Sequence, residues 1–392
     1  MAHHAEPPDP TPGSSGDDQH RRSVRRLQRH LWWMLSLVVT VLLAGGTVHS
    51  WFKADRPDFS EAVIGTVAVN SEQVDAAVAQ QWKPGDTYYR IPTGVLMLSL
   101  EFVNPYAVKA TGMIWQRLDA SLPPDIVHGV LLPEGDNPRT VTPAFNFDDR
   151  GTRIEVWSFN GIFRQQFDYR NYPLDRQDVW LRMRSADLHK PVQLVPDFEA
   201  FPKPWEPAKL AGLDPGLVLG NWHADYTVFS FEHREFGLQH NRMAYQASDL
   251  YFNLGIDRSL VGPLIGRIVP VLLLALLMFL SLFVITTDPD RRTISGFTAF
   301  AIIGFSVSTV LVVAVNDNAA RTETGSAGIS YIEFWYFALY AMTLLVAFNA
   351  TMLLTGGLRR FVAWRENLLP KLVFWPVFTG LMFIATVAFL GP

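Results

Sequence analysis

Acids and bases in this chain recur at places where they could hold one another. Asp168 and Asp175 lie in the stretch QQFDYRNYPLDRQDV, Gln165–Val179. Their carboxylates can cap turns by accepting from nearby backbone N–H groups. Arg258 stands just before a long apolar run. At such a low-dielectric boundary an acid and an Arg stabilise each other more than an exposed pair does. A second set is hydroxylic. Thr293, Ser295, Thr298, Ser306, Ser308 and Thr309 dot or flank the apolar stretch Ile294–Val315, and Asp290 precedes it. Hydroxyls in such a stretch bond their own backbone, a neighbouring helix or water. Catalytic patterns are missing: no Gly-rich phosphate loop, no HExxH, no nucleophile elbow. The chain has no cysteine, which excludes disulfides and thiolate metal sites. His189, His223, His233 and His240 are scattered and read as surface or satisfied histidines. The chemistry is ion pairing and hydrogen bonding, so no enzyme, catalytic residue, metal or cofactor is expected.

Positioning these residues falls to two kinds of element. TRIEVWSFNGIFRQQF before Tyr172 and VWLRMRS after it both alternate, which argues two half-buried strands. Tyr172-Pro173 between them forces an extended or turn backbone and removes a ladder donor. TGVLMLSLEFV, the turn NPYA and VKATGMIWQRLDASL read as two more strands. DNPRTVTPAFNFDD reads as turn-rich, Val195–Pro215 as a Pro-rich loop, and Gly216–Glu232 with Gln246–Ile256 as a long hairpin. Together these predict an all-β sandwich over about residues 90–257. Trp115, Trp157, Trp180 and Trp222 fall in strand patterns and read as core. Within the linker 53–89, Ser71 followed by EQVDAAVAQQW reads as a capped helix.

Hydrophobic residues make up 49% of the 392 and charged ones 18%, a composition that points to a lipid bilayer. A formal net charge of −4 gives no nucleic-acid footprint. Five apolar stretches approach spanning length: Leu31–Phe52, Leu260–Thr286, Ile294–Val315, Tyr331–Leu354 and Leu372–Leu390. Arginines cluster before the first, between the second and third, and between the fourth and fifth, whereas Asn316–Ser330 carries only Arg321. The positive-inside rule then places the N-terminus in the cytoplasm of a multi-pass inner-membrane protein, with the sandwich outside. Residues 1–30 read as a disordered tail. Residues 31–52 read as a retained anchor or a cleaved leader; the length of the run, with no small-x-small site after Leu43, favours the anchor. Residues 258–392 form the remaining membrane block, with Pro270 inside its first helix.

The stretch Gln165–Val179 resembles the signature loop of the pentameric ligand-gated ion channels, the Cys-loop receptor superfamily. Phe167, Asp168 and Tyr169 fill its first part, and Tyr172, Pro173, Leu174, Asp175 and Gln177 its second. The naming cysteines would fall at Gln165 and Val179, so the chain is similar to the prokaryotic, cysteine-less branch. Asp119 and Leu122 match another family pattern, with Arg117 where its Trp is expected. Arg258 followed by Pro270 resembles the start of the family's pore domain.

The resemblance implies an immunoglobulin-like sandwich and a four-helix transmembrane domain, to which this chain adds an extra N-terminal helix. It implies a homopentamer, permeant ions and an unknown small-molecule ligand between subunits. Asp168, Tyr172, Pro173, Asp175 and Arg258 would couple the sandwich to the pore. DPDRRTIS resembles the cation-channel pattern, which puts Asp290 at the inner mouth and leans towards cations. Thr293, Phe297, Phe300, Gly304, Val307 and Leu311 would line one face. By spacing, the family's central binding Trp falls at Ala186 beside a matching Ser185, leaving Phe147, Phe236 and Tyr245 as aromatic ligand candidates. The alternative is a non-conducting membrane sensor or accessory protein of the same architecture. The extra anchor, a long Asn316–Ser330 connection and two Phe on the pore face favour that alternative.

Overall fold

The computed structural model describes residues 14–53, 62–82, 85–137, 140–233, 248–284, 292–325, 328–355 and 367–391. The chain divides into two compact units. The β-rich unit holds residues 55–268 and 317–333, and the helical unit holds 1–54, 269–316 and 334–392.

Among its described residues the β-rich unit forms two five-stranded sheets. β1 (Thr66–Ala68), β9 (Trp222–Glu232), β10 (Asp249–Arg258), β7 (Arg176–Ser185) and β4 (Val130–Leu131) form one, in that order. β5 (Val141–Asp149), β6 (Thr152–Arg164), β3 (Ala107–Leu118), β2 (Tyr89–Asn104) and β8 (Val192–Pro196) form the other. Strict alternation makes these strands: along β7 every second residue, from Gln177 to Ser185, is buried. Val95, Ile114, Phe159, Leu181, Met183, Phe229 and Phe252 are buried in the core. Most elements fall where the alternation predicts them. Val141–Asp149 departs from the turn-rich reading and is an edge strand, its register shifting between Pro143 and Phe145. An edge tolerates a proline that a central strand would not. The Pro-rich segment likewise begins in a strand, β8, parallel to β2. α2 (Ser71–Gln81) forms as expected, but its cap is Asn70, whose side chain accepts from the Gln73 N–H at 2.9 Å.

Among the described residues, five helices are long and apolar enough to cross a membrane. They are α1 (Ser14–Lys53), α3 (Val261–Val284), α4 (Arg292–Thr324), α5 (Tyr331–Thr355) and α6 (Leu368–Leu390). Two run past their apolar cores. α1 starts at Ser14, within the tail expected to be disordered, because extending an existing helix is far easier than nucleating one. α4 continues to Thr324, so most of the expected long connection is helix. In α3 a π-turn at Leu264–Ile268 precedes Pro270, whose ring would otherwise crowd the carbonyl four residues back. α1 packs along α6 in parallel: the Ser36 hydroxyl donates to the Leu372 carbonyl at 2.5 Å, and Gly46 lies under Phe383.

Candidate functional site

Strand register builds the site. β10 pairs antiparallel with β7, Ile256 opposite Gln177 and Asp257 opposite Arg176. Extending that ladder one step sets Asp175 beside Arg258, and the Arg258 N–H reaches the Asp175 carbonyl at 3.3 Å. On its other side β10 places Arg258 opposite Trp222 of β9. The guanidinium therefore meets both partners without any long-range adjustment. Its Nε and Nη2 donate to the two Asp175 carboxylate oxygens at 2.6 and 3.0 Å. Its carbon lies 4.1 Å from the Trp222 ring centre and 4.9 Å from that of Tyr172. The Asp175 side chain is fully buried and that of Arg258 is 8% exposed. Two-point carboxylate contact plus aromatic faces suits Arg and not Lys.

The loop between β6 and β7 is knitted by Gln177. Its amide donates to the Asp175 carboxylate and the Asp168 carbonyl, each at 2.9 Å, and its carbonyl accepts from the Asp168 N–H at 3.1 Å. Phe167, Tyr169 and Tyr172 are buried, and the Tyr172-Pro173 peptide is cis. Phe102 bridges Phe167 and Trp222 at 5.1 and 4.9 Å between ring centres. Asp168 finds its base within its own loop rather than at Arg258. It pairs with Arg170, accepting at 2.8 Å from Nε and from the Arg170 N–H at 2.9 Å. A carboxylate two residues from a base inside one turn reaches it more easily than it reaches Arg258 across the loop. Burial opposes that charge, but the Arg170 bonds hold the Asp168 carboxyl below its usual range.

The loop touches the segment 317–333, which joins α4 to α5. The Tyr331 N–H donates to the Arg170 carbonyl at 2.8 Å, and the Ile332 N–H to the Tyr172 carbonyl at 3.2 Å. Glu323 lies 3.9 Å from Arg258 and accepts from Arg267 at 2.8 Å. The Tyr106 hydroxyl, from the β2–β3 turn, donates to the Gly325 carbonyl. Gly325 has φ +54°, and a Cβ there would come 2.7 Å from Pro105, so the position requires glycine. Glu333 accepts from the Ser330 N–H at 2.6 Å and pairs with Arg321, fixing the first turn of α5. Burial, then the Glu323 charge, pushes the Tyr172 phenol up to about 12. Burial, then Asp175, pushes Tyr169 up as well. Burial works against the Arg258 charge, but its Asp175 bonds keep its pKa above the ordinary value. Within the β-rich unit the cluster is built of ion pairs and hydrogen bonds, and among its described residues there is no nucleophile–base pair.

The expected pore face is partly described. Phe300, Val307 and Leu311 are 76%, 67% and 67% exposed, and Gly304 lies exposed among them. Ile302, Ser306, Thr309 and Val313, on the opposite side of α4, are buried. Ser306 and Thr309 thus turn away from that face and bond the Ile302 and Phe305 carbonyls. Thr293 lies on α4 and Phe297 one turn on, with side chains outside the described residues; Asp290 is outside them altogether.

The two ligand candidates among the described residues, Ser185 and Phe147, lie on different sheets. Ser185 is 1% exposed, in a core position of β7, and its hydroxyl accepts from the Asp187 N–H at 3.1 Å. The alternation of β7 puts it there. Phe147 is exposed on the edge strand of the other sheet, stacked with Phe145 at 6.2 Å. Phe236 and Tyr245 lie outside the described residues.

Sequence reasoning missed Trp222 as the floor under Arg258, and missed Glu323 and Arg267. Exact hairpin register was the missing signal for Trp222. The sequence matches no family model and no curated protein.

Proposed function

We propose that the chain is a subunit of a homopentameric ligand-gated ion channel of the Cys-loop receptor type. A small molecule binding to an immunoglobulin-like outer sandwich opens a pore lined by α4 within a four-helix membrane domain. The observation that carries this reading is the hydrogen-bonded contact between the loop Gln165–Asp175 and the segment 317–333. Any movement of β7 or β10 is felt at Asp175 and Arg258, and through Tyr331, Ile332 and Glu323 at the ends of α4 and α5. The exposed apolar row Phe300, Gly304, Val307 and Leu311 supports assigning that face to the axis. A ring of Asp290 carboxylates at the mouth gives the cation preference.

A second reading, a non-conducting sensor or accessory protein, is favoured by that same row. Its apolar rings would form a dry constriction that ions do not cross. Purified protein in liposomes separates the two. The channel reading expects five-fold symmetric particles and ion flux, with cation-selective reversal potentials that weaken in Asp290→Ala. Particles of another symmetry, or five-fold particles with no flux under any condition, would overturn it.

A further inference from the structure

The helical unit contains a cleft of about 320 Å³ between α5, α6 and the end of α3. Its floor is buried: Leu282, Met342, Val346 and Phe374 are each at most 4% exposed. Its rim is open, with Leu345, Phe348, Leu369 and Val373 between 41% and 54% exposed. A cleft with a closed floor and an open apolar rim, in a unit of membrane-length helices, can be entered sideways from the bilayer.

One polar side chain lines it. Asn349 is 6% exposed, and neither its Nδ2 nor its Oδ1 has a hydrogen-bond partner among the described residues. A carboxamide left unpaired in an apolar environment is strongly unfavourable, and buried amides are nearly always satisfied. Among the described residues no second polar side chain lines the cleft to pair with it.

Asn349 also sits at one end. From Met342 to Asn349 the helical rise covers about 10 Å, and from Leu369 to Val377 about 12 Å, so the cleft is elongated along the helices. Its polar end is the one nearest the α5–α6 connection. Such a shape, apolar along its length and polar at one end, matches a single-chain amphiphile.

We propose that this cleft binds a single-chain amphiphile whose head group is a hydroxyl or a protonated carboxyl. The head donates to Asn349 Oδ1 and accepts from its Nδ2, and the alkyl chain runs up past Val346 towards Met342. Alkanes and esters fill the same space but leave Oδ1 unpaired. The inference is independent of whether the protein conducts.

The test uses the full chain in detergent micelles and two photoreactive probes, a medium-chain alcohol and the matching acid, each with a diazirine on the chain. Labelled peptides from α5 and α6 are read by mass spectrometry, and the unlabelled alcohol, acid, methyl ester and alkane compete. The expected result is labelling of cleft residues, lost in Val346→Trp. Asn349→Leu should weaken competition by the alcohol or acid about tenfold, the worth of a buried hydrogen bond. Stronger competition by the alcohol than by the acid at neutral pH assigns the head to a hydroxyl, and the reverse to a carboxyl. Equal competition by the alkane on the wild type overturns the head-group assignment without any substitution. Absence of cleft labelling overturns the site, as do cross-links showing a second copy of the chain seated in it.

Discussion

The ring of Tyr226 lies across Gly255, and its hydroxyl donates to Asp178 at 3.1 Å. The three residues face one another on β9, β10 and β7. The second Asp178 oxygen is buried and has no partner among the described residues. Burial pushes the Asp178 carboxyl up to about 7, against the smaller opposing effect of the Tyr226 bond. Arg176, the nearest base along β7, is engaged with Asp257 at 2.9 Å.

A carboxyl that holds its proton to about 7 when folded, but releases it near its ordinary value when unfolded, makes the folded state bind more protons between those limits. Its contribution is intact below the unfolded pKa and is lost as pH rises through about 7. The unfolding midpoint of the sandwich should therefore fall between about pH 4 and pH 8. Asp178→Asn should flatten that slope, matching wild type at the acid end and exceeding it at the alkaline end. Unfolding curves at several pH values check this, and an unchanged slope in the variant removes Asp178 as the cause.

Gly255→Ala should break the same arrangement sterically. A Cβ at this position would come 2.1 Å from the Tyr226 ring, which must then move off the strand. Overpacking of this kind costs about 1–3 kcal/mol. Because the displaced ring also abandons Asp178, the effects of Gly255→Ala and Asp178→Asn should be non-additive in a denaturation series.

Arg258→Ala leaves the fully buried Asp175 carboxylate without its cation. Stranding one partner of a buried pair costs about 3–5 kcal/mol. Adding Asp175→Asn should return a good part of that loss, and Arg258→Lys should recover less than the native pair because it loses the two-point contact and the Trp222 face. Glu323→Gln is the contrast, since Glu323 is 43% exposed and its pairs should contribute at most about 1 kcal/mol. Equal losses for Arg258→Ala and Glu323→Gln would contradict the burial argument.

The sandwich was legible wherever alternation is strict, as in β6 and β7, because half-burial writes itself into every second residue. Val141–Asp149 was not, since an edge strand is allowed the Pro and polar residues that mark turns. At the site, Asp175 and Arg258 could be anticipated from an acid and a base flanking a junction. Their aromatic floor could not, because Trp222 meets Arg258 only once the β9–β10 register is known, and a bulge between Gly255 and Ile256 shifts that register. For Asp168 a neighbouring base could be anticipated, and the local turn partner Arg170 takes it in place of the more distant Arg258. Asn349 carried no sequence signal at all, since one Asn in an apolar helix reads the same whether paired or orphaned.

Gly46 should hold α1 against α6. A Cβ there would lie 2.8 Å from the edge of the Phe383 ring, which can swing aside, so Gly46→Ala should be mild. Gly46→Leu should separate the helices and cost about 1–3 kcal/mol by overpacking. Cysteine pairs at Ser36 and Leu372 should cross-link in the native chain and in Gly46→Ala, and lose that cross-link in Gly46→Leu. Persistence of the cross-link in the leucine variant would show that α1 is held elsewhere.

The last expectation concerns the two faces of α4. Phe300, Val307 and Leu311 are largely exposed in the single chain, whereas Ile302 and Val313 are 4% and 1% exposed. If the exposed row faces an axis of symmetry, its apolar rings exclude water and close the path by dewetting. Phe300→Ser and Leu311→Ser should then wet the constriction and raise resting leak in liposomes, at little cost to folding, because neither side chain is packed in its own chain. Val313→Ser should do the reverse, destabilising the helical unit by about 1–3 kcal/mol through loss of a packed side chain and burial of a hydroxyl, with no added leak. Leak from Val313→Ser with silence from the exposed row would reverse the assignment of the faces. Silence from every variant in well-folded protein would favour the non-conducting reading.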